Sequence, residues 1–379
     1  MSVAVHNPSL LPAYARQDVT FVEGDGAWLV DSEGRRYLDL VAGIAVVGLG
    51  HGHHAPLAAA REQLERLWHV SNLYWTEPMV SLAERLSARF GGASAFFCNS
   101  GAEAVEAALK YARKASGRPA VVALEGSFHG RTMGALSVTG QPAKRDPFAP
   151  LVPNVRFARL NDAESLAAAA GPETGCILLE PIQGEGGIHV ANDDFLVAAR
   201  SVADELGALL VLDEVQTGVG RTGTFFANEQ LDVRPDAVTL AKGLANGLPI
   251  GCLLVADGAP PGFEPGDHAS TFGGNPVACA AACAVCDTID EELLEGVREQ
   301  GAVLARRLTA LRGVVAVRGR GLLLAAELDR PAADVVASCL EGGLLVGTAG
   351  DQTLRITPPL TIEVGELDRA LSILEAVLA

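Results

Sequence analysis

Two textures alternate along the chain. Continuous apolar runs at 95–98, 120–124, 176–179, 208–212, 237–240 and 250–255 read as buried strands. Between them lie Ala-, Leu-, Glu- and Arg-rich stretches with helical period, among them 79–90, 102–115 and 193–206. Uninterrupted apolar strands separated by amphipathic helices predict a mostly parallel sheet covered on both faces. An Ala-rich helix is expected over 276–289, followed by helix, strands and a closing helix. The pattern divides the chain into three parts. Residues 1–45 form an arm with short strands, turning at 24–26 and 32–34 and packing with the small domain. Residues 46–290 form a large domain, and 291–379 a smaller α+β domain. There is no internal repeat and no low-complexity linker.

Length agrees with this division, since 379 residues exceed the usual size of one domain. A hydrophobic fraction of 49%, 20% charged residues and 42 glycines describe a compact α/β protein, not a disordered or fibrous one. The formal charge of −17 argues against nucleic acid or an anionic membrane as partner, because both attract basic surfaces. The first sixteen residues contain no lysine and end in Arg16, so the basic start of a secretion signal is not expected. Apolar stretches such as 40–49 are too short to span a bilayer. Seven scattered cysteines, an odd number, suit reduced thiols in a cytoplasm better than a disulfide framework.

Candidate chemistry starts from the scarcity of lysine. There are four: Lys110, Lys114, Lys144 and Lys242. Lys110 and Lys114 share one helix face and read as solvated charges; Lys144 sits in a polar loop, Gln-Pro-Ala-Lys-Arg-Asp-Pro. Lys242 alone directly follows an apolar strand, where open α/β sheets bind ligands. Asp213 ends another strand, in Leu-Leu-Val-Leu-Asp-Glu. It reads as a turn acid, as the acid of an ATPase strand, or as the carboxylate that keeps a pyridine nitrogen protonated. The ATPase reading needs a Gly-Lys pair in a phosphate loop, and the sequence has none. The pyridinium reading needs a lysine at the same sheet edge, which Lys242 supplies. Asn99-Ser100-Gly101-Ala102-Glu103 joins strand to helix, either as a phosphate cradle at a helix N-terminus or as an ordinary helix cap.

Three other patterns carry less. Gly218-Val-Gly220-Arg-Thr-Gly223 matches a dinucleotide pattern but starts several residues past its strand and leads into Thr224-Phe225-Phe226, not a helix. Cys279, Cys283 and Cys286 have an iron–sulfur spacing, yet their offsets put them on one face of the Ala-rich helix, as small core residues. His51, His53 and His54 lie in a Gly-rich turn without acidic or cysteine neighbours in sequence, so no metal is expected there.

Seven stretches in order, from about Val22 to Pro359, give the chain a resemblance. They are Asn-Ser-Gly-Ala-Glu-Ala (99–104), Ser-Phe-His-Gly-Arg-Thr (127–132), Glu-Pro-Ile-Gln-Gly-Glu-Gly-Gly (180–187), Leu-Asp-Glu-Val-Gln-Thr-Gly-Val-Gly-Arg-Thr-Gly (212–223), Lys242-Gly243, Ser-Thr-Phe-Gly-Gly-Asn-Pro (270–276) and Leu-Arg-Ile-Thr-Pro-Pro-Leu (354–360). Together they resemble the class III (ornithine/acetylornithine-type) aminotransferases. The resemblance implies an α/β fold of the pyridoxal-5′-phosphate (PLP) fold type I, aspartate-aminotransferase-like, with a large mostly parallel sheet domain and a smaller α+β domain. It implies that Lys242 carries PLP as a Schiff base and shuttles the proton, while Asp213 pairs with the pyridine nitrogen. It assigns Ser100, Gly101 and Ala102 to the phosphate, Phe128 to the ring face and Gln216 to the phenolic oxygen, with Glu214 and Val215 beside them. Thr271 is expected to cross to a neighbouring subunit's phosphate, with Ser270 near the substrate, in a homodimer with shared sites.

Ser-Asn-Leu-Tyr-Trp-Thr-Glu-Pro (71–78) is most similar to the acetylornithine-type members, with Trp75 where Tyr or Phe is more familiar. The implied reaction is 5-amino transfer from N2-acetyl-L-ornithine to 2-oxoglutarate, yielding glutamate, in arginine biosynthesis. Ornithine δ-, succinylornithine and 4-aminobutyrate transfer share these motifs, and aminomutases and decarboxylases share the fold type. Two unlike substrates need two cations at different depths. Arg355, just after a strand, resembles the keto acid's α-carboxylate ligand, and Arg131 the distal carboxylate ligand. Glu185 is implied to mask Arg355 in the first half-reaction.

Overall fold

The computed structural model describes residues 9–379; the first eight residues of the expected arm lie outside them. Seven strands build the main sheet, in the order Ala93–Cys98, Gly251–Ala256, Ala237–Leu240, Leu209–Asp213, Thr174–Leu179, Ala120–Leu124, Val155–Ala158. All neighbours pair in parallel except Gly251–Ala256, which runs antiparallel to both of its partners.

Side-chain alternation explains why these strands are apolar throughout. Leu209 and Val211 point to one face, joining Val121, Ala123, Cys176 and Leu178 under the helix Gly101–Ser116 through Val105, Ala108 and Ala112. Leu210 and Leu212 point to the other, with Val122, Leu124, Ile177 and Leu179 against Phe195, Ala199 and Ala203 of the helix Asp193–Leu206. Either face exposed would leave a continuous apolar surface in water, so helices cover both.

Pairing turns antiparallel toward the C-terminus. Val314–Arg320, Leu323–Leu328, Thr353–Ile356 and Gly347–Thr348 form a second sheet, flanked by the helices Glu291–Thr309 and Val364–Leu378. The strands Phe21–Asp25, Trp28–Asp31 and Arg36–Asp39 make a third sheet, which Leu344–Leu345 extends by pairing in parallel with Arg36–Asp39. N-terminal strands and C-terminal chain therefore share backbone hydrogen bonds. No helix among the described residues is long and apolar enough to cross a membrane.

Two readings shift. The strand expected over 208–212 is Leu209–Asp213, because pairing with Ala237–Leu240 continues through the polar Asp213, opposite Thr239. Arg355 lies inside the strand Thr353–Ile356, not after it, because that strand is held from both sides by Leu323–Leu328 and Gly347–Thr348.

Candidate functional site

The carboxyl ends of the parallel strands meet at one edge of the main sheet. Asp213 closes its strand there, Lys242 follows the end of Ala237–Leu240, and Asn99 to Gly101 leave Ala93–Cys98 at the same edge. These groups line one cavity of about 410 Å³ with Val46, Ala102, Phe128, Arg131, Val215 and Gln216. Lys242 opens a short helical turn, Lys242–Ala245, with φ +41°, a conformation that a side chain bearing Cβ adopts only under constraint. Around the lysine, burial pulls its pKa below the ordinary value; Glu185, Asp213 and Glu180 oppose that pull and Arg355 adds to it.

Asp213 is buried and fully engaged. One carboxylate oxygen accepts from the Val215 N–H and from Thr239 Oγ1, both at 3.0 Å. The other lies 2.7 Å from His129 Nδ1. Burial pushes His129 down, but the hydrogen bond and charge of Asp213, with Glu180 behind, raise its pKa overall. Glu180 accepts from the N–H groups of Phe128 (3.0 Å) and Gly184 (3.2 Å), and burial pushes its carboxyl up to about 7. Neither His129 nor Glu180 received a role from sequence, although both stand inside the motifs. They come behind Asp213 from positions far from it in sequence, 84 residues away for His129, which no local pattern reveals.

Ser100 is both things the sequence left open. Its Oγ caps the helix Gly101–Ser116 by accepting from the Glu103 N–H at 3.2 Å, while the turn itself lines the cavity. A Cβ on Gly101 would lie 2.7 Å from Val215, so only glycine lets the helix start this close to the cavity wall.

A cluster of charge lies beside Lys242. Arg355 is buried, with one guanidinium nitrogen paired to the Glu185 carboxylate and 3.4 Å from the Gly184 carbonyl oxygen; its Nε has no partner among the described residues. Burial pushes Glu185 up, yet Arg355, Lys242 and Lys144 outweigh it and hold the carboxyl below the ordinary value. Arg131 sits at the mouth, its guanidinium 5.5 Å from the Phe128 ring centroid. Lys144 overturns its reading as a loop lysine. The short helix Pro142–Arg145 carries it to 4.9 Å from the same ring.

Some expected residues are not brought to the cavity. Glu214 points away, accepting from the N–H groups of Ala227 and Asn228 and from the Asn228 side chain, because successive residues at a strand end face opposite sides. Thr271 is exposed and outside this chain's own cavity lining. Ser270 reaches only its rim, its Oγ accepting from Asn99 Nδ2 at 3.1 Å.

The weaker patterns resolve as packing. Arg221 of the glycine loop is buried, donating to the carbonyl oxygens of Leu322 and Pro358, so that loop ties the main sheet to the C-terminal part. Cys279 and Cys286 are buried, Cys283 is half-buried, and burial pushes the Cys286 thiol up to about 12. His51 Nε2 pairs with Asp39 at 2.8 Å. Among the described residues no group of three or more His, Cys, Asp or Glu side chains is arranged to hold a metal.

A family model, "Aminotransferase class-III", matches residues 12–378. The chain belongs to the class III aminotransferases. It is a transaminase acting on small molecules, of PLP fold type I, and its cofactor is PLP. It is 46% identical to the acetylornithine aminotransferase of Archaeoglobus fulgidus over 367 residues, 96% of this chain and 97% of the relative. The crystal structure of N-acetylornithine aminotransferase from Stenotrophomonas maltophilia is similar with a TM-score of 0.83 and 38% identity, covering 96% of each chain. The ornithine aminotransferase from Toxoplasma gondii gives a TM-score of 0.92 at 31% identity, over 98% of this chain and 92% of that one. The residues fit the cofactor. The cavity joins a lysine, a buried carboxylate, an aromatic ring and a helix N-terminus, and Gln216 on its wall has a buried amide oxygen without partner among the described residues.

Proposed function

We propose that the chain transfers the 5-amino group of N2-acetyl-L-ornithine to 2-oxoglutarate, in two half-reactions and in the cytoplasm. The pair of the buried Arg355 with the half-buried Glu185, beside Lys242, carries this reading, because it answers the problem of two unlike substrates. Acetylornithine reacts through its distal amine and brings its α-carboxylate to Arg131, at the mouth. Its uncharged methylene chain lies inward, where Glu185 keeps Arg355 neutralised. 2-Oxoglutarate reacts beside its own α-carboxylate, which needs Arg355 free. A bidentate guanidinium meets either carboxylate in a way an ammonium cannot.

Ser100, Gly101 and Ala102 would hold the cofactor phosphate through free N–H groups and the helix dipole, Phe128 would cover the ring, and Asp213 would keep the pyridine nitrogen protonated. When bound, PLP acts as an electron sink that makes the proton on the amine-bearing carbon removable. Lys242 Nζ would take up that proton and hold it for return, and burial, which pulls its pKa down, favours the uncharged amine that this role needs.

A panel of amino donors offered with 2-oxoglutarate, scored by glutamate formed, tests the assignment. Acetylornithine should exceed ornithine and 4-aminobutyrate; a donor order led by ornithine would overturn it. Half-reaction kinetics divide the roles. Arg355→Lys should slow the 2-oxoglutarate half-reaction by roughly 10²-fold and the acetylornithine half-reaction far less. Glu185→Ala should let glutamate react more readily as donor. Equal losses in both half-reactions for Arg355→Lys would defeat this division.

A homodimer with shared sites completes the proposal. Trp68, Leu73, Tyr74, Trp75 and Phe272 are exposed in one chain, Trp75 at 86%, which favours a second subunit over this surface. Thr271 stands in the same region and would reach the other subunit's phosphate. Mixed dimers of Lys242→Ala and Thr271→Ala subunits put both lesions in one site. They should recover about half the wild-type activity, one intact site of two. A monomer by light scattering, or no recovery, would count against sharing.

A further inference from the structure

The stretch from Ile182 to Val190 follows a strand of the main sheet but packs on the C-terminal one. Its two short strands, Ile182–Gln183 and His189–Val190, pair with each other, and Ile182 and Ile188 pack with Leu323 and Ala325 of the second sheet. Ile188 is fully buried at φ +54°, a conformation that a β-branched residue keeps only where its surroundings impose it. Strand register sets Arg318 opposite Ala325 and Ala325 opposite Arg355, so these three side chains stand in one row on one face. That face meets the loop that carries Glu185.

Two arginines of the row hold this loop in different ways. Arg355 pairs with the Glu185 carboxylate, a contact that substrate must displace. Arg318 holds the backbone: its Nε donates to the Gly187 carbonyl oxygen at 2.7 Å. Its Nη1 bonds to Glu327 at 2.5 Å and its Nη2 to Thr353 Oγ1 at 3.3 Å, so the whole fork is engaged and its charge balanced. Gly187, at φ +110°, makes room for this approach; a Cβ there would lie 2.8 Å from His189 Nε2. On the other side, Gln183 Nε2 donates to the Glu125 carbonyl oxygen at 2.9 Å and the Gly184 N–H to Glu180 at 3.2 Å. Between these two fixings lie Glu185 and Gly186 alone.

We propose that Arg318 is a positioning residue for the Arg355–Glu185 switch: it keeps the loop docked on the C-terminal sheet while Glu185 lets go of Arg355. Glu185 can then return to the same place for the next donor. Without Arg318, breaking the side-chain pair would release the loop as well, and Arg355 would stay open to α-amino acids. The inference rests on the masking role of Glu185 given above.

The test uses four holoenzymes. Arg318→Met keeps the stem's bulk, and Arg318→Lys keeps the charge but cannot bridge three acceptors. Glu185→Ala and the double variant Arg318→Met/Glu185→Ala complete the set. Half-reaction kcat/KM for glutamate over that for acetylornithine gives a donor ratio, and hydrogen exchange of amides 184–189 reads docking apart from activity. Arg318→Met should raise both the ratio and the exchange rate about ten-fold, as loss of one charge-assisted contact implies, and Arg318→Lys about three-fold. The double variant should match Glu185→Ala, because Arg318 acts through Glu185; independent lesions would multiply. Wild-type exchange in Arg318→Met, or multiplied ratios in the double variant, would overturn the proposal. Should Arg318→Met not fold, Arg318→Lys decides, and wild-type exchange there would count against it equally. Faster exchange in Arg318→Met beside a wild-type donor ratio in Glu185→Ala would remove the masking role and leave Arg318 as the loop's anchor.

Discussion

Replacing Lys242 with alanine should abolish transamination, lowering kcat by at least about 10³-fold, as expected when the proton-transferring amine is removed. No other amine can take over. Lys110 and Lys114 are bound to the Glu264–His268 segment at the surface, and Lys144 lies over the Phe128 ring, outside the cavity lining. Borohydride reduction of the wild-type holoenzyme followed by peptide mapping should place a pyridoxyl group on Lys242. In Lys242→Ala the same treatment should leave the chain unlabelled. The cofactor should still be retained in part, because the helix N-terminus and Asp213 are untouched. A label on Lys110, Lys114 or Lys144, or residual turnover within ten-fold of wild type, would remove Lys242 from the mechanism.

The second large effect is expected from Asp213→Asn. Two of the three contacts survive, since an amide oxygen can still accept from the Val215 N–H and Thr239 Oγ1. The third inverts: the amide nitrogen faces His129 Nδ1, which must then accept and leave the imidazole neutral. With the carboxylate gone, burial pushes the His129 pKa down against the charge of Glu180 alone. Folding should be little disturbed, and melting temperature will show it. Activity should fall on the order of 10² to 10³-fold, the size of a lost preorganised electrostatic contact in a water-poor site. The cofactor's visible absorbance should shift toward the form with an unprotonated ring nitrogen. Near-normal turnover with an unchanged spectrum would show that Asp213 does not protonate the ring.

The strands were legible because each face of the main sheet is covered, which makes 120–124 and 176–179 apolar without a break. Lys242 and Asp213 were legible because each directly follows or ends such a run, and side chains there stand at the sheet's carboxyl edge. Glu214, which only the resemblance had put beside the cofactor, turns its carboxylate to Ala227 and Asn228 instead. Adjacent residues at a strand end face opposite sides, and sequence alone does not say which side holds the cavity.

What the sequence by itself determined is therefore local: the strand and helix pattern, the lysine, the acid and the capped turn, each readable within about ten residues. The tertiary structure alone decided which distant groups meet. His129 reaches Asp213, Glu185 reaches Arg355 across 170 residues, and Lys144 leaves its polar loop for the ring of Phe128. Periodicity encodes which face of an element is buried, but charge pairing across a cavity depends on how whole elements are stacked. That stacking is set by the summed apolar packing of both sheet faces, not by the polar residues that end up in contact.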